Sequence, residues 1–193
     1  MFDLFIQLIN QYTLLNQKEI DLLKDTVSIR SYKKNEILFA EGKVATSMYF
    51  VLQGWVRLFY NVNGNDKTAF FYTEGKFICA GESFAKQVPA RENYQVLEDT
   101  VLVHFEKENI EKLLQYSSKF ELISRLATED ELITYQKIVA SFVTQSPEQR
   151  YRDLLNKNGV IFHKVPQQYI ASFLGVSPET LSRIKKRVLT KEH

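Results

Sequence analysis

At 193 residues the chain has room for one large domain or two small ones, since domains usually run to roughly 100–200 residues. A composition that is 45% hydrophobic and 25% charged, with 7 Gly and 4 Pro, excludes a disordered, collagen-like or low-complexity chain. The formal net charge of +2 points by itself to neither nucleic acid nor membrane, and the lone Cys79 excludes an intramolecular disulfide and cannot alone hold a zinc or iron–sulfur site, which needs about four ligands.

One cysteine fits a reducing, cytoplasmic setting. The N-terminus carries Asp3, no basic n-region and no small-residue cleavage site, so it does not read as a secretory signal. No apolar run approaches the roughly 18 residues of a spanning helix, and no membrane partner is expected.

In chain order, residues 2–25 read as helical through Leu4, Phe5, Leu8 and Ile9, then Leu15, Ile20, Leu22 and Leu23. A break over Tyr12 to Asn16 divides them into two short helices, with Asn16 as N-cap of the second. From Thr26 to Phe105 the pattern changes to short β-rich runs at 37–39, 48–52, 55–60, 68–72 and 94–105. Turns at Glu41-Gly42, Gln53-Gly54, Asn63-Gly64-Asn65-Asp66 and Glu74-Gly75 separate them, as in an antiparallel sandwich or roll. Asn63-Gly64 is the clearest hairpin turn.

The helical period returns with Ile110, Leu113 and Leu114, and continues over about 118–142. A helix of roughly 25 residues spans about 37 Å, longer than a small β-domain needs, so a partner helix is expected. Glu129-Asp130-Glu131 interrupts its apolar seam, and no clean heptad register follows. Ser146 caps and Pro147 opens the next helix, which puts a domain boundary near residue 145.

The charges segregate at that boundary. Residues 147–193 carry nine Lys/Arg against four Asp/Glu, a net of +5, and residues 1–146 carry −3. The near-neutral total conceals a basic C-terminal module.

That module holds the pattern of a helix-turn-helix over 167–186. Ala171 is small enough for a close helix crossing, Gly175 supplies the turn, and Val176, Leu181 and Ile184 fill the angle between the helices. Ser177 caps the second helix, Pro178 suits its first position and Glu179 its positive dipole end. Glu179, Thr180, Ser182, Arg183, Lys186 and Arg187 are left to address base edges and phosphates. The competing reading is an unrelated helical hairpin with a solvated basic face; the joint spacing, capping and basicity weigh against it.

On these residues the chain resembles the Crp/Fnr family of bacterial transcription regulators, as a short and divergent member. The resemblance covers the N-terminal helices, the β-region with Glu41-Gly42 and Gln53-Gly54-Trp55-Val56, the long helix, and Pro166 to Arg187. It implies an α+β protein: an antiparallel, jelly-roll-type β-roll like that of cyclic-nucleotide sensors over 1–145, including a dimer helix at about 118–142, then a winged helix-turn-helix over 146–193. It also implies a homodimer that reads a pseudo-palindromic operator on double-stranded DNA through the helix 177–187, with RNA polymerase as a further partner.

The family's recognition helix opens Ser-Arg-Glu-Thr with an Arg one turn on. Ser177, Glu179, Thr180 and Arg183 match it, while Pro178 replaces the family's Arg and removes one major-groove contact. Only six residues follow Arg187, so the usual wing is expected to be short or absent, with phosphate anchoring either weakened or shifted to Lys164, Gln167 and Lys191.

Family members that bind cyclic nucleotide use Gly-Glu and, about ten residues later, Arg and a hydroxyl residue. Gly81-Glu82-Ser83 matches the opening and Arg91 follows Glu82 by nine, but the next residue is Glu92, an acid facing a cyclic phosphate. Two like charges about 4 Å apart repel by about 1 kcal/mol in water and several times that near a protein surface. Glu92, Glu82 or Glu98 is available to pair internally with Arg91 instead. Typical cyclic AMP binding is therefore not expected at Gly81, Glu82, Ser83, Arg91 and Glu92, and the small-molecule effector is unknown.

No cofactor is required by this reading, and the family's iron–sulfur chemistry is excluded by cysteine count. Cys79 and His104 are formal haem ligands, yet each reads more simply as a packed residue, and Cys79 has no adjacent base to make it a redox switch. Catalytic and metal-ligating sets are not found; the three His are His104, His163 and His193. The alternative to a DNA-binding regulator is a ligand-binding or protein-interaction module whose helix-turn-helix has degenerated, suggested by Pro178 and the short wing.

Overall fold

The computed structural model describes residues 1–191, the side chain of Lys191 excepted, so His193 lies outside the described residues. Two short helices open the chain, α1 (Phe2–Ile9) and α2 (Gln17–Thr26). Asn16 caps α2 as its sequence predicts: its side chain accepts from the Glu19 amide at 3.0 Å, and Glu19 accepts from the Asn16 amide at 2.7 Å. This reciprocal capping box satisfies two donors that the first helical turn would otherwise leave open.

Eight strands follow among the described residues: β1 (Val27–Tyr32), β2 (Ile37–Phe39), β3 (Ser47–Gln53), β4 (Val56–Val62), β5 (Asn65–Tyr72), β6 (Phe77–Ile78), β7 (Asn93–Val96) and β8 (Thr100–Glu106), with a short α3 (Gly81–Lys86) before β7. They make two four-stranded sheets, ordered β1-β8-β3-β6 and β2-β7-β4-β5. The β1–β8, β3–β8, β3–β6 and β2–β7 pairs are antiparallel. Asn63 and Gly64 both have positive φ, 53° and 78°, as the two-residue turn between β4 and β5 requires.

The run expected over 94–105 is two strands, because Leu97 to Asp99 turns the chain from one sheet to the other. Gly54 has φ +105°, and a Cβ there would stand 2.3 Å from Thr100 Oγ1, so the Gln53-Gly54 turn needs glycine on two counts.

The remaining helices are α4 (Lys107–Tyr116), α5 (Ser118–Thr144), α6 (Pro147–Asn158), α7 (Ile161–Lys164), α8 (Gln167–Phe173) and α9 (Pro178–Lys191). At 27 residues α5 is about 40 Å long. Among the described residues no helix is long and apolar enough to cross a membrane.

The described residues pack as two compact units, one of Met1–Leu58 with Phe71–Glu131, the other of Phe59–Phe70 with the described residues from Leu132 onward. In the first, Phe5, Ile9 and Leu23 from the N-terminal helices join Phe50, Leu52, Val103 and Phe105 of the β1-β8-β3-β6 sheet and Leu113, Phe120 and Ile123 of α4 and α5 in one core. The acidic run at 129–131 has partners inside this unit: Tyr72 donates to Glu131 at 3.0 Å, Lys76 pairs with Asp130, and Arg125 with Glu129 at 2.6 Å. The residues that break the apolar period of α5 are thus committed to neighbours.

Glu19 is 3% exposed yet ionised. Burial opposes the charge, but the Asn16 amide, the Ser117 hydroxyl at 2.7 Å and the Lys119 ammonium at 3.0 Å together outweigh it and hold the carboxyl below its usual range. A carboxylate with a lowered folded-state pKa stabilises above its unfolded value of about 4.3, and that stability is lost as pH falls through the folded value. Thermal melts should therefore place Glu19→Gln below the parent chain at neutral pH and close the gap towards pH 2; an undiminished gap at pH 2 would contradict the assigned donors.

Candidate nucleic-acid interface and effector pocket

The helix-turn-helix is α8, the turn Leu174 to Ser177, and α9. Ile170, Ala171 and Leu174 of the first helix and Leu181, Ile184 and Val188 of the second are all buried, with Tyr151, Ile161 and Val165 from the preceding helices. Gly175 has φ +70°, its amide donates to Ser172 O at 3.0 Å and the Val176 amide to Ala171 O at 3.0 Å. This is the Schellman ending of a helix, and it explains the glycine.

Ser177 caps α9 by accepting from the Thr180 amide at 3.2 Å. Pro178 stands at the first helical position, as its fixed φ favours. Since Leu181, Ile184 and Val188 are committed to the core, Glu179, Ser182, Arg183, Lys186 and Arg187 are exposed on the other face, and Thr180 is half-buried between. Arg183 Nη2 donates to Thr180 Oγ1 at 3.1 Å, which holds the guanidinium close to the helix surface. The Ser177 hydroxyl, foremost, keeps the Glu179 carboxyl below its usual range, with Arg183 adding to the effect.

Arg187 differs from its neighbours: it pairs with Glu148 of α6 at 3.1 Å, and Glu148 also pairs with Arg152 at 3.3 Å. Gln167 is exposed at the start of α8, and Lys164 and His163 are exposed in α7. Beyond Arg187 the described residues continue α9 through Lys191, with no strand.

Sequence reasoning missed the neighbour of this motif. Within the second unit, the tip of the β4–β5 hairpin, Gly64 to Lys67, lines a cavity of about 690 Å³ together with Gln168, Tyr169, Ser172, Ser177 and Pro178. The Thr68 amide on β5, an edge strand, donates to Ser172 Oγ at 2.9 Å. Edge strands leave backbone groups unpaired, and here a side chain of α8 satisfies one of them. A contact across 104 residues leaves no local signal in the sequence.

In the first unit, Gly81-Glu82-Ser83 opens α3. Glu82 is exposed and pairs with Lys86 at 3.0 Å; that hydrogen bond, then the charges of Lys86 and Arg91, lower its pKa. Ser83 is buried and braces the chain, accepting from the Ala45 amide at 2.9 Å and donating to Val88 O at 2.5 Å. Arg91 is exposed, and Glu92 folds back to accept the Arg91 amide at 3.2 Å. Tyr94 packs its ring against those of Phe39 and Tyr72 and donates to Cys79 O at 2.8 Å.

Burial, with Glu131 and Glu92 adding, pushes the Cys79 thiol up to about 12, which makes it a poor nucleophile and metal ligand at neutral pH. His104 is 7% exposed, bonded to Ser47 Oγ at 2.9 Å, and burial lowers its pKa. Among the described residues no three His, Cys, Asp or Glu side chains are placed to hold a metal ion.

A family model, the cyclic nucleotide-binding domain, matches residues 29–117. No curated protein sequence matches the chain. Among solved structures, FixK2 from Bradyrhizobium japonicum superposes with a TM-score of 0.73 at 18% identity over 86% of each chain. CLP, the c-di-GMP-responsive global regulator of Xanthomonas campestris, gives 0.71 at 16% identity over 92% of this chain and 93% of its own. A Crp/Fnr-family protein from Eubacterium rectale gives 0.71 at 16% identity, covering 92% and 85%. Residues 29–117 are thus matched as a cyclic nucleotide-binding domain, and the chain as a whole has the fold of the Crp/Fnr transcription regulators.

Proposed function

We propose that the chain is a cytoplasmic, homodimeric transcription regulator of the Crp/Fnr type that binds double-stranded DNA through α9, and that it is not an enzyme. The observation that carries the reading is the division of α9: Leu181, Ile184 and Val188 are 2, 4 and 1% exposed, which turns Glu179, Ser182, Arg183 and Lys186 outward together. A glutamate accepts from cytosine N4 and an arginine grips guanine, whereas a lysine meets phosphate without reading sequence. Arg187, tied to Glu148, is left a smaller part in phosphate contact than Lys186.

Dimerisation is supported by α5. Leu132, Val139 and Val143 are 55, 63 and 80% exposed and, with Gln136, follow the four-three spacing of one helix face. A second copy packed along this stripe would relate two recognition helices by a two-fold, for half-sites about 34 Å apart. In this reading RNA polymerase is the partner on the DNA.

The effector region does not bind cyclic AMP in the manner of nucleotide-sensing relatives, since Glu82 is engaged by Lys86 and an acid, Glu92, follows Arg91. CLP responds to c-di-GMP, so a different small-molecule effector is compatible with the fold. Calorimetric titration with cyclic AMP should give no binding at micromolar concentrations; micromolar binding would overturn this part.

DNA selected by the chain from a random pool should bind with affinity that falls steeply with salt. On that DNA, Arg183→Ala should cost about 1–3 kcal/mol and relax preference at one position, while Lys186→Ala should weaken all sequences nearly equally and reduce the salt slope by about 1. Equal, sequence-independent losses for both would refute the two roles, and failure to select any DNA would refute the function. On the dimer face, Val139→Asp with Val143→Asp should yield monomers by sedimentation, and an unchanged oligomeric state would exclude that stripe.

A further inference from the structure

Arg150, in the first turns of α6, is half-buried and makes a set of contacts that none of the DNA-facing residues explains. Its Nη1 donates to the Gln145 carbonyl at 2.8 Å, and its Nε and Nη2 donate to the Leu174 carbonyl at 3.2 and 3.0 Å. The guanidinium carbon lies 4.5 Å from the centre of the Phe142 ring. Gln145 directly follows α5, and Leu174 is the C-cap of α8. One cation therefore sits where the negative ends of two helices converge and satisfies carbonyls that helix termini leave open.

Phe142 adds a steric part to this joint. A Cβ at residue 175 would stand 2.8 Å from the Phe142 ring, so the turn of the helix-turn-helix lies directly against the end of α5. The planar fork of arginine is what allows both carbonyls and the ring to be met at once; the single ammonium of a lysine cannot reproduce it.

We infer that Arg150 is a positioning residue that fixes the recognition helix to the end of the long helix and thereby sets the half-site spacing the protein accepts. It reaches no DNA-facing position itself and acts through Leu174, three residues before Ser177. The inference rests on the DNA-binding reading above and deepens it: specificity for spacing resides in a residue away from the duplex.

The test uses the full chain and its Arg150→Met and Arg150→Lys variants, methionine keeping the apolar stem. Affinity is measured for the selected operator and for versions with one base pair added or removed between half-sites. The parent should discriminate against altered spacing by roughly tenfold or more, in the range of a disrupted site. Arg150→Met should compress this to about threefold or less, with Arg150→Lys in between. A uniform loss of affinity with spacing discrimination intact would mean a merely structural role and overturn the inference.

Hydrogen exchange provides a readout that needs no DNA. The Gly175 and Val176 amides, bonded to Ser172 and Ala171, should lose protection in Arg150→Met by about tenfold relative to Leu181 and Ile184. Unchanged relative protection would also overturn the inference. A parent chain that selects no DNA would count against the proposed function, leaving this exchange comparison to decide whether Arg150 fixes the turn.

Discussion

The commitment of one stripe of α9 to the core is the constraint on which the proposed recognition face depends. Leu181, Ile184 and Val188 cannot leave their buried sites without exposing apolar surface worth roughly 1.5–3 kcal/mol each. Once they are fixed, the direction of Glu179, Ser182, Arg183 and Lys186 follows from the helical period alone. The Gly175 turn and the Ser177 cap then set where that helix begins. Base-reading chemistry needs such a rigid support, because a bidentate contact is lost when the side chain's origin drifts.

The long helix α5 serves two different environments along its length. Its first half buries Phe120 and Ile123, and Asp130 and Glu131 are held by Lys76 and Tyr72. Its second half exposes Leu132, Val139 and Val143, then places Phe142 against the turn of the helix-turn-helix. No single heptad describes both halves, since the apolar residues of the first are buried and those of the second are exposed. The same helix that carries the exposed apolar stripe ends where Arg150 gathers two carbonyls, so the proposed dimer seam and the proposed reading head are mechanically continuous.

Features set by local chemistry were legible in the sequence. The Asn16 and Ser146 caps, the Asn63-Gly64 turn, the break between the first two helices and the helix-turn-helix each rest on a few adjacent residues, and each occurs in the structure. Strand β1, Val27–Tyr32, escaped because it lacks a continuous apolar run, and β6 and α3 are too short to carry a period. The pairing of Glu82 with Lys86 is legible in the sequence as a four-residue spacing on one helix face. The Arg150 joint and the Thr68 to Ser172 bond were not readable, since they link residues 24 and 104 positions apart through backbone groups that every residue possesses.

The most direct test of the central claim is methylation protection at guanine N7 in the major groove and adenine N3 in the minor groove, on DNA selected by the full chain and read on both strands. Two patches of major-groove protection one helical turn apart, related by a two-fold and both lost on removing the Arg183 side chain, are the predicted result. A single unrelated patch, protection confined to the minor groove, or no protection at concentrations that saturate the duplex would contradict it.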